Sequence, residues 1–246
     1  MPYRYATSRL DYSDLASGQV FYSLPGQPAF PIRLASEVFL RCQAHRRDRE
    51  RPVSLVDPCC GAAYHLGILA YFHWDRIERI TASDIDPQLV KKARQNLGLL
   101  SAAGIDRRRE EIAGMLGRYG KDSHRVILES AARMAERIHY HEEAHPLQAR
   151  VFQADATDPA SLRQGLEGVT IDVLFTDIPY ALHSHWQGTP TDDPLGAMLA
   201  ALTEFLNPES VLALAADKAQ RFNYPYYRRL ERFQLGKRQV VFLKLA

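Results

Sequence analysis

Four short apolar runs in this chain each close on an aspartate: "VSLVD" at 53–57, "RITASD" at 79–84, "ARVFQAD" at 149–155 and "IDVLFTD" at 171–177. A parallel strand covered on both faces has no place for an acid inside the sheet. An Asp at its carboxyl end faces the crevice where open α/β sheets bind ligands. One such residue would pass as a helix cap; Asp57, Asp84, Asp155 and Asp177 together predict a shared acidic rim. Two more apolar runs, 210–215 and 239–245, follow, and helical patterns separate the strands. The expectation is an α/β fold with a doubly wound, mostly parallel sheet.

A length of 246 residues fits one such domain, 1–246, with an N-terminal helical and loop extension at 1–51, an insert at 103–146 and a basic, aromatic segment at 218–246. The insert reads as two helices, "RRREEIAGMLGRYG" and "SHRVILESAARMAERIHYHEEA", with Val126, Ile127, Ser130, Met134, Arg137 and Ile138 near helical spacing. Its charges balance at eight against eight, so packing and substrate orientation both remain open. No apolar stretch approaches the roughly 18–20 residues that span a bilayer, and no basic region precedes an apolar run at the start, so a soluble, cytoplasmic monomer is expected. Cys42, Cys59 and Cys60 are odd in number and lack C-x-x-C spacing, which points to buried thiols and no metal.

Charge is segregated along the chain. Residues 1–51 carry eight cations and five acids, 52–217 fifteen and twenty-three, and 218–246 eight and one. An acidic middle suits a cationic cofactor, and a basic end suits a polyanion.

After the first strand, "DPCCGAAYHLGIL" puts Gly61 in a turn and starts a helix near Tyr64, so exposed amides face the crevice. The G-x-G-x-x-G spacing and the Walker lysine are both absent. In "ITASDIDPQLVKKARQN", Asp84 and Asp86 stand about 25 residues downstream, where a carboxylate can accept both hydroxyls of a ribose. Asp155 in "FQADATD" could accept from an adenine amino group.

With these residues in place the chain resembles the class I S-adenosylmethionine (SAM) dependent methyltransferases, and within them the AviRa-type avilamycin-resistance ribosomal RNA methyltransferases. The carrying segments are "PAFPIRLASEVF" (28–39), "DPCCGAAY" (57–64), "ASDIDP" (82–87), "NLGLLSAAGI" (96–105) and "TDIPY" (176–180). The resemblance implies a seven-stranded Rossmann-like sheet, SAM as methyl donor, and a guanine of 23S rRNA in the large ribosomal subunit as target. N1 is favoured, N2 is the other choice, and resistance to an orthosomycin-type antibiotic is the implied setting. It assigns Gly61 to the loop under the methionine part of SAM, with Asp57 and Cys59 beside it. Asp84 and Asp86 go to the ribose, Asp155 and Ala156 to the adenine, and Phe30, Pro31 and Arg33 to an upstream segment near the cofactor. One departure stands out: the family loop reads D-P-x-x-G-S-G, whereas this chain has Ala62 and Ala63.

Methyl transfer from a sulfonium is an in-line displacement, so the protein supplies positioning and an electron-rich nitrogen. In Asp177-Ile178-Pro179-Tyr180, the carboxylate and the Ile178 carbonyl could accept from the base edge. For guanine N1 the proton must leave, and Asp177 is the candidate general base. Pro179 fixes φ, and Tyr180 offers a face on which an extruded base stacks. His183, His185 and Trp186 read as a lid or base-contact loop. In the C-terminal segment Lys218, Arg221, Arg228, Arg229, Lys237 and Arg238 interleave with aromatic residues, the composition of an RNA contact; the alternative is that the aromatics cap a sheet edge. Competing functions are a DNA adenine-N6 or cytosine-N4 methyltransferase, which shares the acid-x-Pro-aromatic motif, and a non-catalytic SAM-fold protein that binds ribosomal RNA.

Overall fold

The structure, a computed structural model, describes residues 3–16, 18–25, 29–179, 186–188 and 190–246. Its strands are β1 (Val53–Asp57), β2 (Ile77–Asp84), β3 (Gln148–Gln153), β4 (Ile171–Asp177), β5 (Leu206–Asp217), β6 (Tyr227–Leu235) and β7 (Arg238–Leu245). They form one seven-stranded sheet in the order β3-β2-β1-β4-β5-β7-β6. Pairing is parallel except around β7, which runs antiparallel to β5 and β6. The strand order reverses between β1 and β4, and such a switch point opens a crevice at the carboxyl ends of the strands.

Alternation sends Leu55, Val173, Phe175, Ala213 and Phe242 to one face, against α1 (Ile32–His45), α2 (Tyr64–His73) and α3 (Pro87–Gly98). The opposite face, with Val56, Leu174, Leu212 and Val241, packs on α6 (Pro159–Leu166) and α7 (Pro194–Leu202). Burial on both faces is why the central strands read as unbroken apolar runs. The Asp-Pro pairs 86–87, 158–159 and 193–194 each start a helix. The Asp side chain accepts an amide of the first turn, and Pro occupies a position whose N–H has no helical partner.

The insert is a helical hairpin of α4 (Ala102–Tyr119) and α5 (Asp122–Ala144), reversed at Gly120 with φ of +59°. Ser101 caps α4 by accepting from Gly104 N. Of the residues placed on its apolar stripe, Ser130, Met134 and Ile138 are buried, but Val126 is 55% exposed. The stem packs: Arg108 donates to the carbonyls of Val20 and Gln19, while Ser130 and Arg133 donate to Asp14. The hairpin therefore clamps the N-terminal extension against the sheet layer.

One expectation needs correcting. β3 stops at Gln153, so Asp155 lies in the following turn, where its Oδ1 accepts from the backbone N–H and hydroxyl of Thr157. The basic C-terminal segment supplies β7, the strand expected at 239–245, and also β6. Phe222, Tyr224 and Tyr227 pack on one core and Phe233 on the other, as the sheet-capping alternative requires; Tyr226 stays 78% exposed. Among the described residues no helix is long and apolar enough to cross a membrane.

Candidate active site

The crevice is built on the turn from β1 to α2. Asp57 closes β1 fully buried, and its Oδ1 accepts from Cys59 N. Cys60 N donates to Ser83 O, strapping the turn to the end of β2, and Asn96 of α3 donates to Ala62 O. Gly61 has φ of +54°, and a Cβ placed there would meet nothing within 4 Å, so the backbone faces open space. Ala63, the last residue before α2, also has φ of +54°, the one positive φ at a non-glycine among the described residues. The loop thus keeps the conformation that its second glycine position demands, with alanine bearing the strain.

Asp84 braces the same turn. Its Oδ2 accepts from Gly61 N at 2.8 Å and its Oδ1 from Asp86 N at 3.0 Å, leaving one acceptor direction on each oxygen. Burial raises its pKa, and the two amides resist that rise. Asp86 accepts from Gln88 N through Oδ1 as the cap of α3. The Cys59 thiol lies 4.0 Å from Met198 Sδ, and burial together with Asp57 and Asp84 lifts its pKa well above the ordinary thiol value. Cys59 is therefore held as the neutral thiol.

At the end of β4, Asp177 Oδ2 lies 3.3 Å from Arg238 Nη2, whereas Oδ1 is buried with no hydrogen-bond partner among the described residues. Burial pushes its pKa up to about 6; Arg238 and His65 pull it down, and Asp57 pushes it further up. Ile178 N donates to Ala215 O, which pins the start of the Asp177–Pro179 stretch to β5. Phe30 stacks edge-on against Phe175, and the Arg238 guanidinium sits 4.8 Å from the Phe30 ring centre. His65 Nε2 is 3.0 Å from Asp57 Oδ2, at ion-pair distance but without hydrogen-bond alignment. Thr176 Oγ1 is likewise buried without a hydrogen-bond partner among the described residues.

Other expected residues fall elsewhere. Pro31 starts α1, and Arg33 is committed to the N-terminal segment, donating to the carbonyls of Ala6 and Thr7 beneath Tyr3. Ala156 is buried in the core under α6 and α7, against which Trp186 also packs. A Cβ on Gly188 would come 2.1 Å from Asp155 Oδ2, so the 186–188 segment lies directly over that carboxylate. Tyr180, His183 and His185 lie outside the described residues. Lys218, Arg221, Arg228, Arg229 and Lys237 are exposed, but Arg238 reaches into the crevice. Arg229 pairs across the ladder with Leu243 and Arg228 with Lys244, so the two arginines point to opposite faces. Among the described residues no three His, Cys, Asp or Glu side chains converge to hold a metal ion.

The family model for the rRNA methyltransferase AviRa matches residues 1–238. The chain belongs to that family. It is 38% identical over 244 residues, 99% of this chain and 96% of the relative, to a protein of Streptomyces viridochromogenes named 23S rRNA (guanine(2535)-N(1))-methyltransferase. The solved rRNA methyltransferase aviRa from the same organism superposes with a TM-score of 0.89 at 37% identity, covering 99% of this chain and 96% of that one. TrmN from Thermus thermophilus, at 14% identity and a TM-score of 0.54 over 90% of this chain and 51% of its own, shares the fold alone.

Membership agrees with the seven-stranded sheet order. His65 carries no sequence signal, because in an apolar helix start it reads as a packed ring. Arg238 reads as one cation among many in a basic segment; only the β5–β7 pairing, Asp217 with Arg238, brings it beside the end of β4.

Proposed function

We propose that the protein methylates N1 of a guanine in 23S rRNA with SAM as donor. The observation that carries this is Asp177: a carboxylate at the switch point with one buried, unpartnered oxygen and a pKa lifted to about 6. Such a group is ionised at neutral pH yet basic enough to take a proton.

The residues fit the cofactor. Open space above Gly61 admits the methionine part, and the spare acceptor directions of Asp84 and the free side of Asp86 suit the ribose hydroxyls. When bound, SAM supplies an electrophilic methyl group on sulfur. The protein's own part is the base edge. Asp177 Oδ1 accepts the N1 proton as the N–C bond forms, the Ile178 carbonyl accepts from the exocyclic amine, and Pro179 holds both in line. Arg238 stays on Asp177 Oδ2 and orients the carboxylate. Asp155, in the turn after β3, is the acceptor for the adenine amino group. The exposed cations of 218–237 contact phosphates.

The test is calorimetric titration with SAM, followed by labelled-methyl transfer to 23S rRNA and mapping of the modified base. Incorporation at a guanine N1 is expected. Binding without incorporation removes 23S rRNA as the substrate. Absence of SAM binding makes Ala63 a closed cofactor loop and leaves an RNA-binding protein. Where transfer is found, susceptibility to an orthosomycin is the phenotype to assay.

A further inference from the structure

One face of the sheet carries a row of charge across the switch point. Side chains alternate along a strand, so on the α1–α2 face Asp57 follows Leu55 on β1, Asp177 follows Phe175 on β4, and Arg238 precedes Val240 on β7. The intervening strand, β5, contributes Ala213 and Ala215 to this face. Their methyl groups leave room for Arg238 to reach Asp177 Oδ2. His65 and Phe30 roof the row. Ring centres of His65 and Phe175 are 5.0 Å apart, those of Phe30 and Phe175 5.4 Å, and those of His65 and Phe30 5.8 Å. His65 therefore packs on the residue two places before Asp177, while its Nε2 lies 3.0 Å from Asp57 Oδ2.

An imidazole is a costly choice at this position. Residues 64–70 of α2 are all buried, and the His65 side chain is 7% exposed against 0% for Asp57. As a structural joint the pair does little. Its two facing atoms lack hydrogen-bond alignment, Asp57 Oδ1 already secures the turn through Cys59 N, and a buried ion pair contributes little beyond an apolar pair of similar volume. What the pair can supply is charge. Burial together with Asp57 and Asp84 lifts the pKa values of the Cys59 and Cys60 thiols, so both stay neutral. The charged groups around the pair are then Asp84 across the turn, Asp177 on β4 and Arg238 on β7. Three carboxylates face one guanidinium, and His65 is the second group able to carry a positive charge. The direction of its influence agrees: burial raises the Asp177 pKa most, Arg238 and His65 pull it down, and Asp57 pushes it further up.

We infer that His65 is a positioning residue of this site: protonated and held on Asp57, it cancels that carboxylate and so keeps Asp177 ionised to accept the guanine N1 proton. The inference deepens the methyltransferase reading and rests on it. His65 neither touches the base nor receives its proton; it acts through Asp57 on Asp177. β1 and β4 are neighbours in the sheet, so without His65 an uncompensated Asp57 stands one strand from Asp177. A like charge at that range favours the protonated acid. Protonated Asp177 cannot take the N1 proton, and methyl transfer would then require a higher pH.

The test compares the full chain with His65→Gln and with His65→Gln/Asp57→Asn. Glutamine keeps a polar group of similar size and removes the charge; the second change removes the charge it balanced and leaves an oxygen for Cys59 N. On 23S rRNA, His65→Gln is expected to move the acid limb of kcat/KM upward from about pH 6 by about 1 pH unit. Its plateau at higher pH and its SAM affinity should stay within a few-fold of the parent. The double variant should bring the limb back toward the parent position. A second readout needs neither RNA nor SAM. Each of the three chains is paired with its Asp177→Asn derivative, and the difference in thermal stability is followed against pH. Ionised Asp177 opposes folding as pH rises from its ordinary 3.8 to its folded value, so this difference stops growing near pH 6 in the parent. In His65→Gln it should keep growing for about 1 further pH unit. A limb and a stability difference that stay in place in His65→Gln overturn the inference and leave His65 a structural joint. Equal displacement in the single and double variants overturns it as well, since shape and not charge is then responsible. If the parent methylates no RNA, the reading of the crevice fails, and the stability series by itself decides whether His65 balances Asp57.

Discussion

Glu37 is a fully buried carboxylate and Asp177 a half-buried one whose Oδ1 is withdrawn from water, and the structure treats them in opposite ways. Glu37, on α1, is completely buried, and its oxygens accept from the amides of Arg4, Tyr5 and Ala6 and from the Arg41 guanidinium. Burial alone would raise its pKa, but those four donors outweigh it and hold the group below its ordinary value. Asp177 has one 3.3 Å contact and one orphaned oxygen, and burial wins. The first carboxylate is a finished structural joint that ties down the N-terminal segment. The second is left unfinished, as a group that receives a proton from a ligand must be.

The largest expected effect lies at the unfinished group. Asp177→Asn should cut methyl transfer by about 10²–10⁴-fold, the range of a general base, with SAM affinity within a few-fold of the parent. Its stability should move the other way. Asp177 has a folded pKa near 6 against an ordinary 3.8, so its ionised form opposes folding as pH rises through that interval. The Asn variant should therefore melt higher than the parent at pH 8, with the difference shrinking below pH 6. A variant that keeps its turnover takes Asp177 out of the chemistry; one that melts lower makes it a second structural joint.

Glu37→Ala should leave the crevice chemistry alone and cost about 1–3 kcal/mol, because it removes the acceptor of three amides while Arg41 keeps its pairing with Glu231. Urea denaturation would read this. Since the folded pKa of Glu37 is depressed, its contribution is present above the ordinary value of 4.5 and fades as pH falls through the lower folded value. The stability gap between parent and variant should narrow in acid. A cost below about 1 kcal/mol would make the amide contacts dispensable and erase the contrast.

A smaller effect separates the two carboxylates by their arginines. Arg41 completes Glu37, whereas Arg238 only opposes the burial of Asp177. Arg238→Gln should move the acid limb of kcat/KM upward from about pH 6, since a cation that favours the ionised carboxylate is gone and Asp57 remains beside it. Arg238→Lys should restore much of the original limb, with His65 unchanged on the other side. A limb that stays in place in both variants would mean that the contact orients the carboxylate without tuning it.

This contrast also marks what a sequence can show. β1 and β4 are legible because strands buried on both faces must be apolar and end abruptly, which picks out Asp57 and Asp177. β6 is an edge strand with an irregularity between Arg229 and Glu231, so its polar residues break any period and it reads as a basic tail. β3 is likewise an edge strand and largely exposed, so nothing marks its end and Asp155 reads as part of it. Glu37, Arg41 and Glu231 meet from opposite ends of the chain, as do Asp177 and Arg238. Such partners are set by topology, and a single chain read in order gives no sign of them. The order of loop, ribose acid and D-I-P-Y carries the family because each sits within a few residues of a strand end.

The smallest effect concerns Ala63, where the cofactor loop itself is strained. A non-glycine in the left-handed region costs about 1–2 kcal/mol. Replacement by glycine removes that cost but adds about 0.4–1 kcal/mol of unfolded-state entropy. Ala63 is fully buried, yet the side chain removed is a single methyl. Ala63→Gly should therefore be neutral to slightly stabilising, by about 0.5 kcal/mol in urea denaturation, where an Ala-to-Gly change inside a helix would cost about 1 kcal/mol. SAM affinity should change little, because the methyl removed packs in the core and does not face the open space at Gly61. Stabilisation without tighter binding would locate the strain in folding alone. A loss of stability near the helical value would show that Ala63 is relaxed in this loop, and that the missing glycine makes no demand on the site.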